Sequence, residues 1–357
     1  MKTGRTIIAA VGTAALAASL VACAGPSTGG GEAVPLDAEQ SLQMLNYGGW
    51  MGENNVSAFE AEYPNITINQ ADLPSGGVGG ILTLLRENSG AYDFAMLGSM
   101  GAGTSAKQEI LAEFDPASVP NLANIAPQFQ EAYPWGIPLE QGKVGIIFRS
   151  DKVENPPTSW AELFERMPEF SGRVAFPDYD TDVLAIALLA LGYDINTENL
   201  DELQEAADLV ISVKPHLKAF LGRDVIKSLT DGTVDIVVGY DHNTAASFGV
   251  DDTIDWIAPS EGMPGYLDGW VAFKDSPRQA ATTEFMNFVL DLEQYADFIN
   301  TTGASYLTPD VEPLLDPSIR DNPALAFDPD AKVFYLKAVS GETNAKRAEL
   351  WEQIKAS

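Results

Sequence analysis

From residue 42 onward, short apolar runs alternate with segments of helical period, and this alternation limits the chain to an α/β architecture. "LQMLNY" reads as a strand, and Val56, Phe59 and Tyr63 mark one face of a helix. "ITINQ" reads as a strand, "ILTLLREN" as a helix and "DFAML" as a strand. A βαβαβ opening of this kind implies a parallel sheet.

A second round begins after "GIPLEQGKVGIIFRSD". Ser159 and Glu162 in "TSWAEL" fit a capping box. "RVAF" then suggests a strand, and "TDVLAIALLAL" a helix ended by Gly192. The helical "LDELQEAADLVISV" follows, with the strands "VDIVVGY" and "TIDWIA", and "WVAFKDSPRQAATTEFMNFVLD" adds a further strand and helix. Apolar residues make up 45% of the 357, enough for a substantial core. At this length a single core stops growing, so two α/β lobes are the simplest account.

The first 32 residues have a different character. Lys2 and Arg5 precede the run "IIAAVGTAALAASLVA", the layout of a secretory signal peptide. The run is shorter than the roughly 20 apolar residues that a spanning helix needs. It ends at Cys23, the single cysteine, so no second thiol exists for a disulfide. "L-V-A-C" resembles the bacterial lipobox, which implies cleavage after residue 22, lipid on the Cys23 sulfur, and a protein held on the outer face of a membrane. Residues 23–41 then read as a flexible tether.

Removing residues 1–22 takes away Lys2 and Arg5 and leaves 19 basic against 51 acidic side chains, a formal charge of −32. Nucleic acid, which needs a basic surface, is excluded as a partner. Acidity suits a cationic ligand, and it equally serves solubility.

Several stretches, taken in order, carry a family likeness: "LNYGGW", "AYDFAMLGS", "WGIPLEQGKVGIIFRSD", "PTSWAELFERMPEFSGRVAFPD", "LGYDINTENLDEL", "DGTVDIVVGYDHNTA" and "APSEGMPGYLDGWVAFKDSP". With them the chain resembles the extracellular solute-binding proteins of ABC importers, of the spermidine/putrescine-binding type. The resemblance implies a two-lobed α/β fold of the periplasmic-binding-protein type II, with a ligand cleft between lobes joined by crossover strands. It places lobe 1 at 42–142 plus 270–315 and lobe 2 at 143–269 plus 316–357. It also implies a monomer that closes about a hinge and docks on permease subunits, with no cofactor and no metal.

A polyamine is a methylene chain bearing ammonium groups, so its site needs carboxylates at the charges and aromatic faces along the chain. By position, the resemblance implies ligand-binding roles for Asp268 in "GYLDGW", for Tyr266 two residues before it, for Tyr240 in "VVGYD" and for Tyr47 after Asn46. Asp182, with Asp178 nearby, stands in the family's acidic segment, and Glu140 in "PLEQG" is a further candidate. Tyr47 and Tyr266 also fit plain half-buried aromatics, Asp182 a helix cap, and Glu140 a charge facing solvent. Lys337 or Tyr335 replaces the family's late polar contact. Gly48, Gly98, Met100 and Tyr179 depart from the family pattern, so the cleft has its own shape and another amine is open as the solute.

A secreted enzyme, or a sensor lipoprotein on the same fold, is the alternative class. His216 and His242 are the only histidines, and neither stands in a Ser/His/Asp order or an H-E-x-x-H motif. The expectation for the leader is direct: in its host the chain partitions into membranes with acyl mass on the fragment beginning at Cys23, and Cys23→Ala releases it or blocks processing. Mass spectrometry finding an unmodified Cys23 on freely secreted chain would remove the lipid anchor.

Overall fold

The thirteen-residue strand β4, Ile137–Arg149, is buried along its whole length except at its last residue. Its second part, 144–148, is apolar or small on both faces and belongs inside a sheet covered on both sides. The computed structural model describes residues 33–73, 77–88, 91–222, 225–245, 247–248 and 251–357, so the leader and Cys23 lie outside the described residues. Around β4 lie β1 (Gln40–Asn46), β2 (Ile66–Asp72), β3 (Phe94–Gly98), β5 (Val174–Pro177), β6 (Leu217–Leu221), β7 (Ile236–Tyr240), β8 (Ile254–Ile257), β9 (Met263–Ala272) and β10 (Val333–Tyr335). Their order is β2-β1-β3-β9-β4-β7-β5-β6, with β10 beside β9 and β8 beside β4.

The parallel pairings expected from the βαβ pattern are present: β1 with β2 and β3, and β5 with β6 and β7. The two long strands differ. β9 runs antiparallel to both β3 and β4, and β4 antiparallel to β7 and β8, so the sheet is mixed. β4 gives residues 137–143 to β9 and residues 144–149 to β7 and β8. β4 is therefore a crossover strand, and each half of it belongs to a different apolar cluster.

One cluster gathers Leu42, Phe94, Leu139, Trp270, Phe285 and Phe298. The second gathers Val144, Trp160, Phe176, Ile186, Val210 and Ile354, and a smaller one with Ile147 and Val237 lies around the same half of β4. The changeover falls between Leu139 and Val144, where polar side chains and a glycine interrupt the apolar run. Ile319 and Leu325 pack in the first cluster, although the sequence division put 316–357 with the second lobe; Leu336, Leu350 and Trp351 do pack in the second. Apolar side chains choose the nearer core, and the chain crosses over only after Leu325.

Local signals behave as their chemistry requires. Ser159 Oγ accepts from the Glu162 amide at 3.0 Å, while Glu162 reaches one residue further back, to the Thr158 amide at 2.9 Å. Gly192 closes the helix Asp180–Leu191 at φ +80°, a conformation open to glycine without strain. No helix among the described residues is long and apolar enough to cross a membrane.

Trp160 is fully buried in the second cluster and donates its indole N–H to the Gly262 carbonyl at 2.7 Å. Trp160→Ala is expected to lower unfolding free energy by about 3–5 kcal/mol, read by urea denaturation. A loss below about 1 kcal/mol would mean that the site refills and the packing described is not what stabilises this lobe.

Candidate functional site

The strand period of two sorts the crossover residues onto opposite faces. Glu140 and Gly142 of β4 pair with Asp268 and Tyr266 of β9, and all but Gly142 line a cleft of about 760 Å³. Gly142 is needed by its neighbour: a Cβ there would fall 1.8 Å from the Tyr266 ring, which lies across the strand. On the other side of β9, Gly98 of β3 stands opposite Asp268, and a Cβ there would meet Asp268 Oδ1 at 2.8 Å. The departure at residue 98 thus leaves room for the carboxylate. The alternate residues Gln141 and Lys143 point away: Gln141 Oε1 accepts from the Tyr335 hydroxyl at 2.7 Å, and Lys143 pairs with buried Asp241 at 3.7 Å.

Asp268 does not stand just ahead of a strand, as the apolar "WVAF" suggests. It lies mid-strand, because β3 and β4 supply ladder partners on both sides. Glu140 is likewise not solvent-facing: it is 1% exposed. Its Oε1 accepts from the Trp50 indole N–H at 2.6 Å, and its buried Oε2 has no hydrogen-bond partner among the described residues. Burial, then the neighbouring Asp268, holds the Glu140 carboxyl well above the usual carboxylate range. Burial pushes Asp268 up to about 7.

Trp50 arrives through a turn. The Trp50 amide donates to the Tyr47 carbonyl at 3.0 Å, and Gly49 takes φ +77°, the left-handed position that a turn of this kind reserves for glycine. Tyr47, also lining the cleft, has its phenol held well above the usual range by burial, Asp268 and Glu140. Beside the acids stands an aromatic wall. The rings of Tyr240 and His242 stack at 5.4 Å and 8°, Tyr266 meets Tyr240 edge-on at 5.8 Å, and Trp50 meets His242 edge-on at 5.8 Å. His242 Nδ1 lies 3.2 Å from the Tyr266 hydroxyl, and burial lowers its pKa, so the imidazole is neutral at pH 7.

Asp182 stands apart from this group. It is buried behind Tyr240, whose hydroxyl donates to Asp182 Oδ2, and it does not line the cleft; burial raises it to about 6. Asp178 is exposed and also off the cleft wall. Of the late polar candidates, Tyr335 is engaged with Gln141, and it is Leu336 rather than Lys337 that reaches the cleft. Gly48, Met100 and Tyr179 all line it. Among the described residues no Lys or Arg lines the cleft, and no cluster of His, Cys, Asp and Glu is arranged for a metal ion.

Residues 55–327 match the family model described as bacterial extracellular solute-binding protein. The chain belongs to that family. This solute-binding protein is 25% identical over 344 residues to the putrescine/agmatine-binding protein of Pseudomonas aeruginosa, covering 89% of the chain and 92% of that relative. Its fold matches the spermidine/putrescine ABC transporter substrate-binding protein PotD of Streptococcus pneumoniae at TM-score 0.78 and 20% identity, covering 89% and 99% of the two chains. It also matches the periplasmic binding protein MotA of Agrobacterium tumefaciens B6, solved with glucopine, at TM-score 0.62 and 16% identity over 88% and 99%. One fold thus serves receptors for different solutes, and the cleft residues must discriminate.

The sequence reading passed over Trp50 and treated His242 only as a catalytic candidate. The signal for Trp50 was present, an aromatic side chain after a two-glycine turn in "LNYGGW". The burial of Asp268 yields a test. A carboxyl raised in the folded state stabilises the fold fully below its unfolded pKa of about 3.9, and that contribution is lost as pH rises through the folded value near 7. Asp268→Asn should therefore gain stability relative to the parent between pH 5 and pH 8, by more than about 1 kcal/mol at about 1.36 kcal/mol per pH unit. Urea unfolding at both pH values reads the difference; an unchanged difference would show that Asp268 ionises in the fold as freely as in water.

Proposed function

We propose that this solute-binding protein is the receptor of an ABC importer, captures a small organic cation in its cleft, and delivers it to permease subunits. The cation is an amine of the polyamine type, such as putrescine or spermidine, or a related amine. The observation that carries the reading is the buried pair Glu140 and Asp268 facing a cleft that no Lys or Arg lines among the described residues. Two adjacent carboxylates in such a place resist ionising until a cation joins them. The names of the relatives in Pseudomonas aeruginosa and Streptococcus pneumoniae support the same class of solute.

In this reading, Asp268 and Glu140 hold the ammonium, Tyr47 packs beside them, and Tyr266 and Tyr240 lie against the hydrocarbon part. Asp182 acts through Tyr240: its carboxylate holds the phenol in place and so orients the ring. Lipid on Cys23 keeps the receptor near its permease, on the extracytoplasmic face, and the protein works as a monomer that binds and releases without turnover.

Calorimetry against a panel of polyamines, amino acids, sugars and anions tests this, with a product check by mass spectrometry. Saturable binding of an amine without product is expected, and Asp268→Asn should weaken it at least about a hundredfold, since stripping one partner from a buried charge pair costs about 3–5 kcal/mol. Affinity should fall as pH drops below about 7 because the cation binds the ionised form of Asp268. Tight binding of a sugar or an anion, indifferent to Asp268→Asn, would refute the amine reading and leave the family untouched.

A further inference from the structure

The carboxylates along the described cleft wall are chemically unequal. On β4 and β9, Glu140 and Asp268 face each other across adjacent backbones, where side chains stand about 4.5–5.5 Å apart at Cβ. Trp50 pins Glu140 Oε1 and leaves Oε2 buried and unpartnered, while Gly98 keeps space beside Asp268 Oδ1. Among the described residues at or behind the cleft wall, the other carboxylates are spoken for or exposed. Asp182 is occupied by the Tyr240 hydroxyl, and Asp241, on the rear face, by Lys143 and Ser305. Asp72, on the cleft wall at the end of β2, is solvent-exposed.

We propose that Glu140 and Asp268 form a single head subsite for one primary ammonium, and that the rest of the described cleft wall adds no second charge subsite of comparable strength. This rests on the amine reading above. Three physical points carry it. A buried carboxylate oxygen without a partner is costly, and an ammonium N–H supplies the missing donor. One ammonium against one ionised and one protonated carboxyl leaves the subsite neutral, which matches the raised pKa values of both acids. Among the described residues a second ammonium would find only Asp72, and an exposed ion pair adds a factor of about five at most.

The test compares 1-aminopentane with 1,5-diaminopentane by calorimetry on the wild-type protein, the two differing by one ammonium. Their Kd values should agree within about tenfold, since among the described residues the second charge meets only the exposed Asp72. Pentyltrimethylammonium, with equal charge and no N–H, should bind at least about a hundredfold more weakly, because it leaves the buried acceptors unpaired. Glu140→Gln, which keeps an acceptor for Trp50, should weaken both amines alike, whereas Asp72→Asn should touch only the diamine and only slightly.

A monoamine more than about a hundredfold weaker than the diamine overturns the inference, as does equal binding of the quaternary ion. In either case amine binding itself survives. If neither amine binds at all, the amine reading falls and this inference falls with it.

Discussion

The antiparallel pairing of β4 with β9 is the contact on which the rest of the molecule depends. β4 passes from one apolar cluster to the other, and its pairing with β9 sets which side chains at that changeover face the cleft. Its register is unforgiving. A slip of one residue would turn Glu140 and Gly142 to the rear and bring Gln141 and Lys143 forward, replacing an acidic floor by an amide and a cation. The ladder hydrogen bonds between β4 and β9 thereby determine the sign of the charge that faces the cleft.

Burying two carboxylates side by side opposes folding, and the surrounding residues limit the penalty without removing it. The Trp50 indole satisfies one oxygen of Glu140, and protonation relieves the rest: burial drives both acids toward their neutral forms. The rear-face pair Lys143–Asp241 shows the alternative solution, a cation built into the chain. Where the protein supplies its own cation, the charge is structural. At the cleft wall no cation of the chain meets Glu140 and Asp268 among the described residues, and on the proposal above a solute would supply it.

Particular residues show how far the sequence could be read. β1 through β3 and the helix ended by Gly192 were legible because they follow local period and local cap chemistry. β9 was read too short: "MPGYLDG" has neither the alternation nor the β-branched content of a strand, and only the flanking β3 and β4 make it one. Asp268 and Tyr266 could be singled out from a likeness to known receptors, and both do line the cleft, as do Tyr47, Tyr240 and Glu140. Asp182 was singled out on the same grounds and lies behind Tyr240 instead, since a residue's place in a helix says nothing about which side chain folds across it. Trp50 was missed because its significance is a hydrogen bond to a residue ninety positions away.

By itself the sequence determined the α/β class, the strongly acidic balance, and the membership of a solute-binding family, because periodicity, composition and ordered motifs are properties of the chain read in one dimension. The tertiary structure decided which acids meet. Glu140 and Asp268 are 128 residues apart, and nothing local marks them as neighbours; the β4–β9 register makes them a pair, Gly98 and Gly142 give up side chains so that the pair and Tyr266 fit, and burial then moves their protons. Charge placement across strands is a long-range property, and only a folded sheet can set it.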